Sequence, residues 1–194
     1  MGFLKKFTKQ EISWMMYDWA NSAHSVIVVT ILPIFFDSVA SCTADSVSSM
    51  STWGYATSIA MAIVALAAPF LGVFGDIRGM RKKLFTAFLL LGVVSVAGLA
   101  FTPLMDFTSS TAAAGKVAML VLVLYILSTI GFDASCIYYD AFLTDVTTED
   151  RMDSVSTLGY GLGYIGGSTI PLLIFLIMNA VGVPMLTSLA IIFA

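Results

Sequence analysis

Five times along this chain the sequence runs for about twenty residues or more with hardly a charged side chain. A helix rises about 1.5 Å per residue, so each run is long enough to cross the roughly 30 Å of hydrocarbon in a bilayer. The runs cover about residues 13–36, 52–74, 84–102, 117–142 and 154–180. A sixth starts near Pro184 and reaches Ala194, the last residue, within about eleven residues. That is too short to span, so residues 1–194 read as one unit that stops inside its sixth helix, a fragment of something longer. The runs are near-continuous instead of alternating with period two, which points to helices and away from a barrel.

Composition closes off the other classes. Hydrophobic residues make up 59% of the chain and charged residues 11%, against about 25% charged in a soluble domain. Nine Lys and Arg, twelve Asp and Glu and one His cannot cover a water-exposed surface of this size. No basic face is available to neutralise a run of phosphates, so nucleic acid is not a partner. The two cysteines, Cys42 and Cys136, support neither a disulfide framework nor a metal site, and no cofactor is called for. The lipid bilayer is the partner that the composition demands.

Orientation follows from the basic residues of the loops. With the N-terminus in the cytoplasm, Lys5, Lys6, Lys9, Arg78, Arg81, Lys82, Lys83 and Arg151 fall on the inner side and only Lys116 on the outer. The expected topology is therefore N-terminus inside, with the first helix an uncleaved signal-anchor. Asp37, Asp45 and Asp106 fall in the outer connections.

The polar residues inside the runs are the ones that need a reason, because each is expensive in hydrocarbon. In the first helix Asp18, Asn21, Ser22 and Ser25 recur at helical spacing on one stripe, with Tyr17 and His24 beside it. Asp18 reads equally well as a headgroup-level carboxylate favoured by the helix dipole and as a cavity residue. Trp14 and Trp19 read first as interfacial anchors, and His24 first as a satisfied buried histidine. In the fourth helix Asp133, Cys136, Asp140 and Thr144 share a face, with Ser135 and Tyr139 adjacent. Asp133 is deep in the span, where a carboxylate pairs, titrates or lines a wet cavity. The reading favoured here is a cavity or coupling role, with Asp133 across from Asp18, Asn21 and Ser22. Asp140, near the inner end, is open to a simple solvated role.

Gly159, Gly163 and Gly167 form a doubled small-xxx-small row in the fifth helix, the usual signature of close helix packing. Tyr160 shares a face with Ser156 and Gly163 and is placed to point into the same cavity. Between the second and third helices stands Gly72-Val-Phe-Gly75-Asp76-Ile-Arg78-Gly79-Met-Arg81-Lys82-Lys83. Taken alone, its basic cluster is what the positive-inside rule supplies at any inner loop.

These loop residues resemble the Gly-x-x-x-Asp-(Arg/Lys)-x-Gly-x-(Arg/Lys)-(Arg/Lys) signature of the major facilitator superfamily. The match is Gly72, Asp76, Gly79, Arg81 and Lys82, with Ile77 standing where a basic residue is usual. Three more segments narrow the resemblance: Tyr17-Asp18-Trp19-Ala20-Asn21-Ser22-Ala23, Gly131-Phe132-Asp133-Ala134-Ser135 through Tyr139-Asp140-Ala141-Phe142-Leu143, and Gly159 to Gly167. Together they are similar to the vacuole-effluxer-like branch, related to autophagy-linked vacuolar amino-acid exporters. His24, where an aromatic is usual, and Asp140, where Asn is usual, depart from that pattern. The resemblance implies an all-α fold of two six-helix halves, of which this chain is the N-terminal one, with the first and fourth helices lining a central cavity. It implies that the loop signature latches an inner gate, partly against the absent C-terminal half.

The expected function is secondary transport of a small-molecule substrate by alternating access, with amino-acid efflux and proton coupling as the finer reading. The membrane would be the inner membrane of a bacterium or the vacuolar membrane of a fungus. A non-transporting receptor or assembly subunit is the alternative. Intramembrane proteolysis fits poorly. Gly75-Asp76 lacks the Gly-x-Gly-Asp pattern, Asp133 and Asp140 share one helix, and Gly166-Gly167-Ser168 is followed by Thr169 instead of glycine.

Overall fold

The computed structural model describes residues 6–43 and 46–193; Lys5 and Asp45, counted above for topology, lie outside them. Five helices among the described residues are long and apolar enough to cross a membrane. They are α1 (Lys9–Ala40), α2 (Ser46–Asp76), α3 (Arg81–Phe101), α4 (Thr111–Ala141) and α5 (Glu149–Ala180). A sixth, α6 (Met185–Phe193), has 9 residues. The five long helices begin earlier than the apolar runs do, because a polar turn precedes the hydrocarbon-compatible part, and in α1 and α4 that turn is capped. Thr8 caps α1 in a reciprocal box with Glu11. The Ser110 hydroxyl accepts the Ala113 N–H at the start of α4. In the connection before α4 the Asp106 carboxylate accepts the backbone N–H groups of Thr108 and Ser109, and these bonds hold its pKa below the usual carboxylate range.

Two helices are interrupted in the same way. In α1 residues Ile27–Ile31 form a wide turn, with the Leu32 N–H bonded back to the Ile27 carbonyl, and Pro33 follows. In α5 the wide turn is Gly163–Thr169, and Pro171 follows. Proline has no N–H to give, so the carbonyls of Val29 and Gly167 lose their helical donor and the ladder loosens just upstream. The two interrupted helices pack on each other, and Val29 and Thr30 of one irregular stretch line a cavity with Tyr164 and Ser168 of the other.

The core has two parts. At the end away from the basic loops, Ile31, Leu32, Phe35, Phe36 and Val39 of α1 pack with Val117, Val121 and Tyr125 of α4, Trp53 of α2 and Leu189 of α6. At the basic end Trp14, Met15, Tyr139 and Val155 form a smaller cluster. α3 and α4 meet backbone to backbone, since a Cβ on Gly131 would stand 2.7 Å from the Gly92 Cα. Outward-facing Tyr55, Ile59, Leu66 and Phe70 leave α2 an apolar exterior.

Candidate functional site

α1 is pinned to α4 by aromatic and hydroxyl contacts. The Trp14 indole N–H donates to the Tyr139 carbonyl at 3.0 Å, and its ring stacks on that of Tyr139 with centroids 4.4 Å apart. The Tyr17 hydroxyl is 2.6 Å from Ser135 Oγ, and its ring lies 4.5 Å from that of Tyr139. The Cys136 thiol lies close enough to Tyr17 and Asn21 to interact with both. Higher up, His24 stacks on Phe132 at 4.0 Å, and its Nε2 is 3.3 Å from Ser128 Oγ. That is the arrangement of a histidine held by its surroundings.

The stripe expected on α1 is divided between two neighbours. Asn21, with Tyr17 beside it, faces α4. Asp18, Ser22 and Ser25 turn toward α5, where they line a cavity of about 440 Å³ with Tyr160, Tyr164 and Ser168. Asp18 is buried and lies against Gly163: a Cβ there would collide with its Oδ2 and with Ser22 Oγ. Gly159 admits the Trp14 ring, and Gly167 admits the backbone of α1 itself at Trp19 and Ala23. The glycine row of α5 is thus the surface on which α1 rests. Tyr160 stands at the cavity mouth, half exposed.

The three in-membrane carboxylates are distributed differently from the expectation. Asp140, not Asp133, is the carboxylate in electrostatic reach of Asp18. Asp133 is half-buried and connects to the α1 stripe through Cys136. Among the described residues no Lys or Arg is in ion-pair contact with Asp18, Asp133 or Asp140; the ion pairs found there all lie at the basic end.

At that end the Gly72–Lys82 loop is organised around Arg81. Its guanidinium pairs with Asp145 at 3.0 Å and with Asp76 at 3.8 Å, and reaches the Ala141 carbonyl at 3.4 Å. It therefore closes the end of α4 as well as its own turn. Gly79 has φ of 80°, a conformation that favours glycine. Gly75 lies where a Cβ would be 2.7 Å from the Tyr138 ring, whereas Gly72 faces open space. Lys82 is exposed, bordering with Lys9 a second cavity of about 600 Å³ beside Tyr17 and Phe85.

Two functional-looking groups carry no assignment from the sequence. Asp145, the nearer partner of Arg81, reads there only as part of a charged loop. Glu11 is 2% exposed and accepts from Thr147 Oγ1 at 2.7 Å and Arg151 Nη2 at 2.9 Å. The available signal was Thr8-x-x-Glu11 ahead of an apolar run, a capping box that also places a carboxylate where the chain enters the bundle.

A family model described as "Vacuole effluxer Atg22 like" matches residues 7–194. The chain is 44% identical over 173 residues to a Bacillus subtilis protein called "Uncharacterized MFS-type transporter YxiO". That stretch is 88% of this chain but 38% of the relative, so the chain spans well under half of the relative's length. No solved structure matches.

Proposed function

The chain belongs to the vacuole effluxer Atg22-like family, and on that premise we propose that it forms the N-terminal half of a secondary transporter that moves a small solute by alternating access. It is an integral membrane protein, and its relatives fall in a transporter class and not in an enzyme class. The observation that carries the reading is the set Asp18, Asp133 and Asp140, three carboxylates on membrane-spanning helices with no ion-paired cation among the described residues, one of them lining an open cavity. Fixed structural charges in hydrocarbon are paired; unpaired ones that face a cavity belong to a pathway. With the basic end in the cytoplasm, as the positive-inside bias requires, the cavity lies between α1 and α5 and the Arg81 cluster at its inner side. The bulk of the partner surface for a second half is supplied by the exposed faces of α2 and α5.

The finer reading is efflux of amino acids coupled to protons. The full-length protein in proteoliposomes should carry labelled amino acids, faster when a pH gradient is imposed. Asp133→Asn keeps shape and hydrogen bonding but cannot titrate, so flux should lose its pH dependence. Flux that is absent in the unaltered protein overturns transport. Unchanged pH dependence and substrate preference in Asp133→Asn would make Asp133 a structural hydrogen-bonding group.

The loop has its own test. Arg81 makes three contacts across the turn and the end of α4, and Arg78 makes none that pairs it with a carboxylate among the described residues. Losing a charge-assisted contact of about 1.5 kcal/mol corresponds to about a tenfold change. Arg81→Ala should therefore slow initial flux about tenfold, Asp76→Asn less, because that contact is longer and Asp76 is 83% exposed, and Arg78→Ala least. Equal, mild effects at all three would reduce the loop to a topology signal.

A further inference from the structure

The cavity between α1 and α5 gathers oxygen-bearing side chains around one carboxylate, and no Lys, Arg or His lines it. Asp18 is 7% exposed, opens onto that cavity and meets neither a basic side chain nor a hydrogen-bond donor among the described residues. An ionised carboxylate taken out of water with neither is costly, and a counter-charge entering by the cavity removes that cost. Ser22 stands directly beside it: Asp18 Oδ2 and Ser22 Oγ both crowd the point where a Gly163 Cβ would be. Glycine at 163 thus lets two oxygens converge against a bare stretch of α5. About one turn further along, Ser25 of α1 and Ser168 of α5 line the same cavity. Ser25 gives its hydroxyl hydrogen to the Asn21 carbonyl, so its oxygen keeps lone pairs free. Val29, whose carbonyl loses its helical donor to Pro33, lines the cavity beyond them. Loosened helix backbone and hydroxyls beside a carboxylate at membrane depth are ligands suited to a small monovalent cation.

We propose that Asp18 and Ser22, with Ser25 and Ser168 about one turn away, bind a monovalent metal cation, sodium, in the α1–α5 cavity. Asp18 supplies the charge, the serine oxygens replace part of the hydration shell, and water admitted by the cavity completes the coordination. Asp140 of α4 is within electrostatic reach of Asp18 and adds negative potential. Lys9 and Lys82 border the other cavity, on the Tyr17 side. The charge count selects a monovalent ion: calcium takes about six to eight oxygen ligands with carboxylates prominent among them, and this cavity brings one carboxylate. The site goes beyond the transporter reading and is measured apart from it.

The test is thermal unfolding of the full-length protein in nanodiscs, titrated with sodium chloride against choline chloride at constant ionic strength. A ligand that binds only the folded state raises the melting temperature with its concentration. Sodium should raise it saturably, and choline should not. Binding of radioactive sodium to the same nanodiscs gives the affinity. Asp18→Asn keeps the shape and loses the charge. It should weaken sodium about thirtyfold, the scale of one contact to a charged group, while its melting temperature in choline stays level or rises because an unpaired buried charge is gone. Ser22→Ala removes one neutral ligand and should weaken sodium about fivefold. A merely structural Asp18 would give the opposite pattern, lower stability in choline and unchanged sodium affinity. Equal stabilisation by sodium and choline, or an Asp18→Asn variant that binds sodium as the parent does, overturns the site. Should Asp18→Asn not fold, Ser22→Ala decides, and unchanged affinity there overturns the site as well. Methylammonium that raises the melting temperature as far as sodium does would make the cavity an amine site and overturn the metal assignment. Sodium binding in a protein that moves no solute would sink the transporter reading and leave the site standing; flux without sodium binding would do the reverse.

Discussion

Gly167→Ala should unseat α5 from α1 and cost about 3 kcal/mol of stability, near the upper end of the usual overpacking range, because the obstructing atoms are backbone. A Cβ at this position would run into the Trp19 carbonyl and the Ser22 Cβ and come within 3.0 Å of the Ala23 nitrogen. Backbone atoms cannot rotate away, so one helix must move. In a membrane that movement is not opposed by any hydrophobic gain, since lipid is as apolar as leucine; helix association depends on closeness itself. The neighbouring glycines grade the effect. At Gly166 the obstacle is the Trp19 ring, which can swing aside at lower cost. At Gly161 there is nothing within 4 Å, and alanine should be neutral or slightly stabilising through helix propensity. Thermal unfolding in detergent should therefore rank Gly161→Ala, Gly166→Ala and Gly167→Ala in increasing loss. Similar losses at all three would mean that the row is not a contact surface and that glycine acts there through flexibility alone.

That ranking also shows what a sequence can and cannot disclose about such a bundle. The apolar runs are legible because hydrocarbon thickness fixes a minimum length. The spacing of Gly159, Gly163 and Gly167 is legible because four residues return to the same helix face. Which helix answers that face is not written in α5, and only the packed structure shows that it is α1. The polar stripe of α1 illustrates the same limit. Helical geometry puts Asp18, Asn21 and Ser22 near one line, but a helix wedged between two neighbours divides even adjacent positions, so Asn21 meets Cys136 of α4 while Asp18 meets Gly163 of α5. That Asp140 rather than Asp133 comes within electrostatic reach of Asp18 depends on the vertical register of two antiparallel helices. Register is set by shape, in this case by the Trp14–Tyr139 stack. The wide turns before Pro33 and Pro171 depend on the surrounding packing as well as on the prolines. That the buried Tyr139 hydroxyl has no hydrogen-bond partner among the described residues is invisible in sequence for a simpler reason: an unsatisfied group is defined by what fails to surround it.

Arg151→Met should be the most damaging change among the surface-reaching charges, at about 2–3 kcal/mol. Its partner Glu11 is 2% exposed and tied into the first turn of α1 by Thr8 and across to Thr147. Arg151 reaches that carboxylate at 2.9 Å, donates to the Lys6 carbonyl at 2.9 Å and lies 5.5 Å over the Phe7 ring. Without the guanidinium, Glu11 is left as a buried charge with hydroxyl and amide donors but no cation, the situation in which removing one partner is costly. The figure is set below the full cost of stripping a buried pair because Arg151 is itself 38% exposed and water can partly replace it. The harm then comes from the stranded charge and not from the lost contact. Glu11→Gln removes the charge while keeping an oxygen to accept the Thr8 N–H, and its amide NH2 can donate to the Thr147 hydroxyl, which turns from donor to acceptor. The double variant Glu11→Gln, Arg151→Met should then recover about half of the loss, giving a coupling of 1 kcal/mol or more by the double-mutant cycle. The pair also joins the start of α1 to the first turn of α5, and Thr147 ties Glu11 to the connection between α4 and α5, as Arg81 joins the α2–α3 turn to Asp145 of that connection. A segment fixed at both points moves α1 and α4 together, so Arg151→Met in the full-length protein should slow flux even at temperatures where the fold is intact. Additive losses in the two single variants, with no recovery in the double, would show that Glu11 and Arg151 act independently and that no such clamp operates.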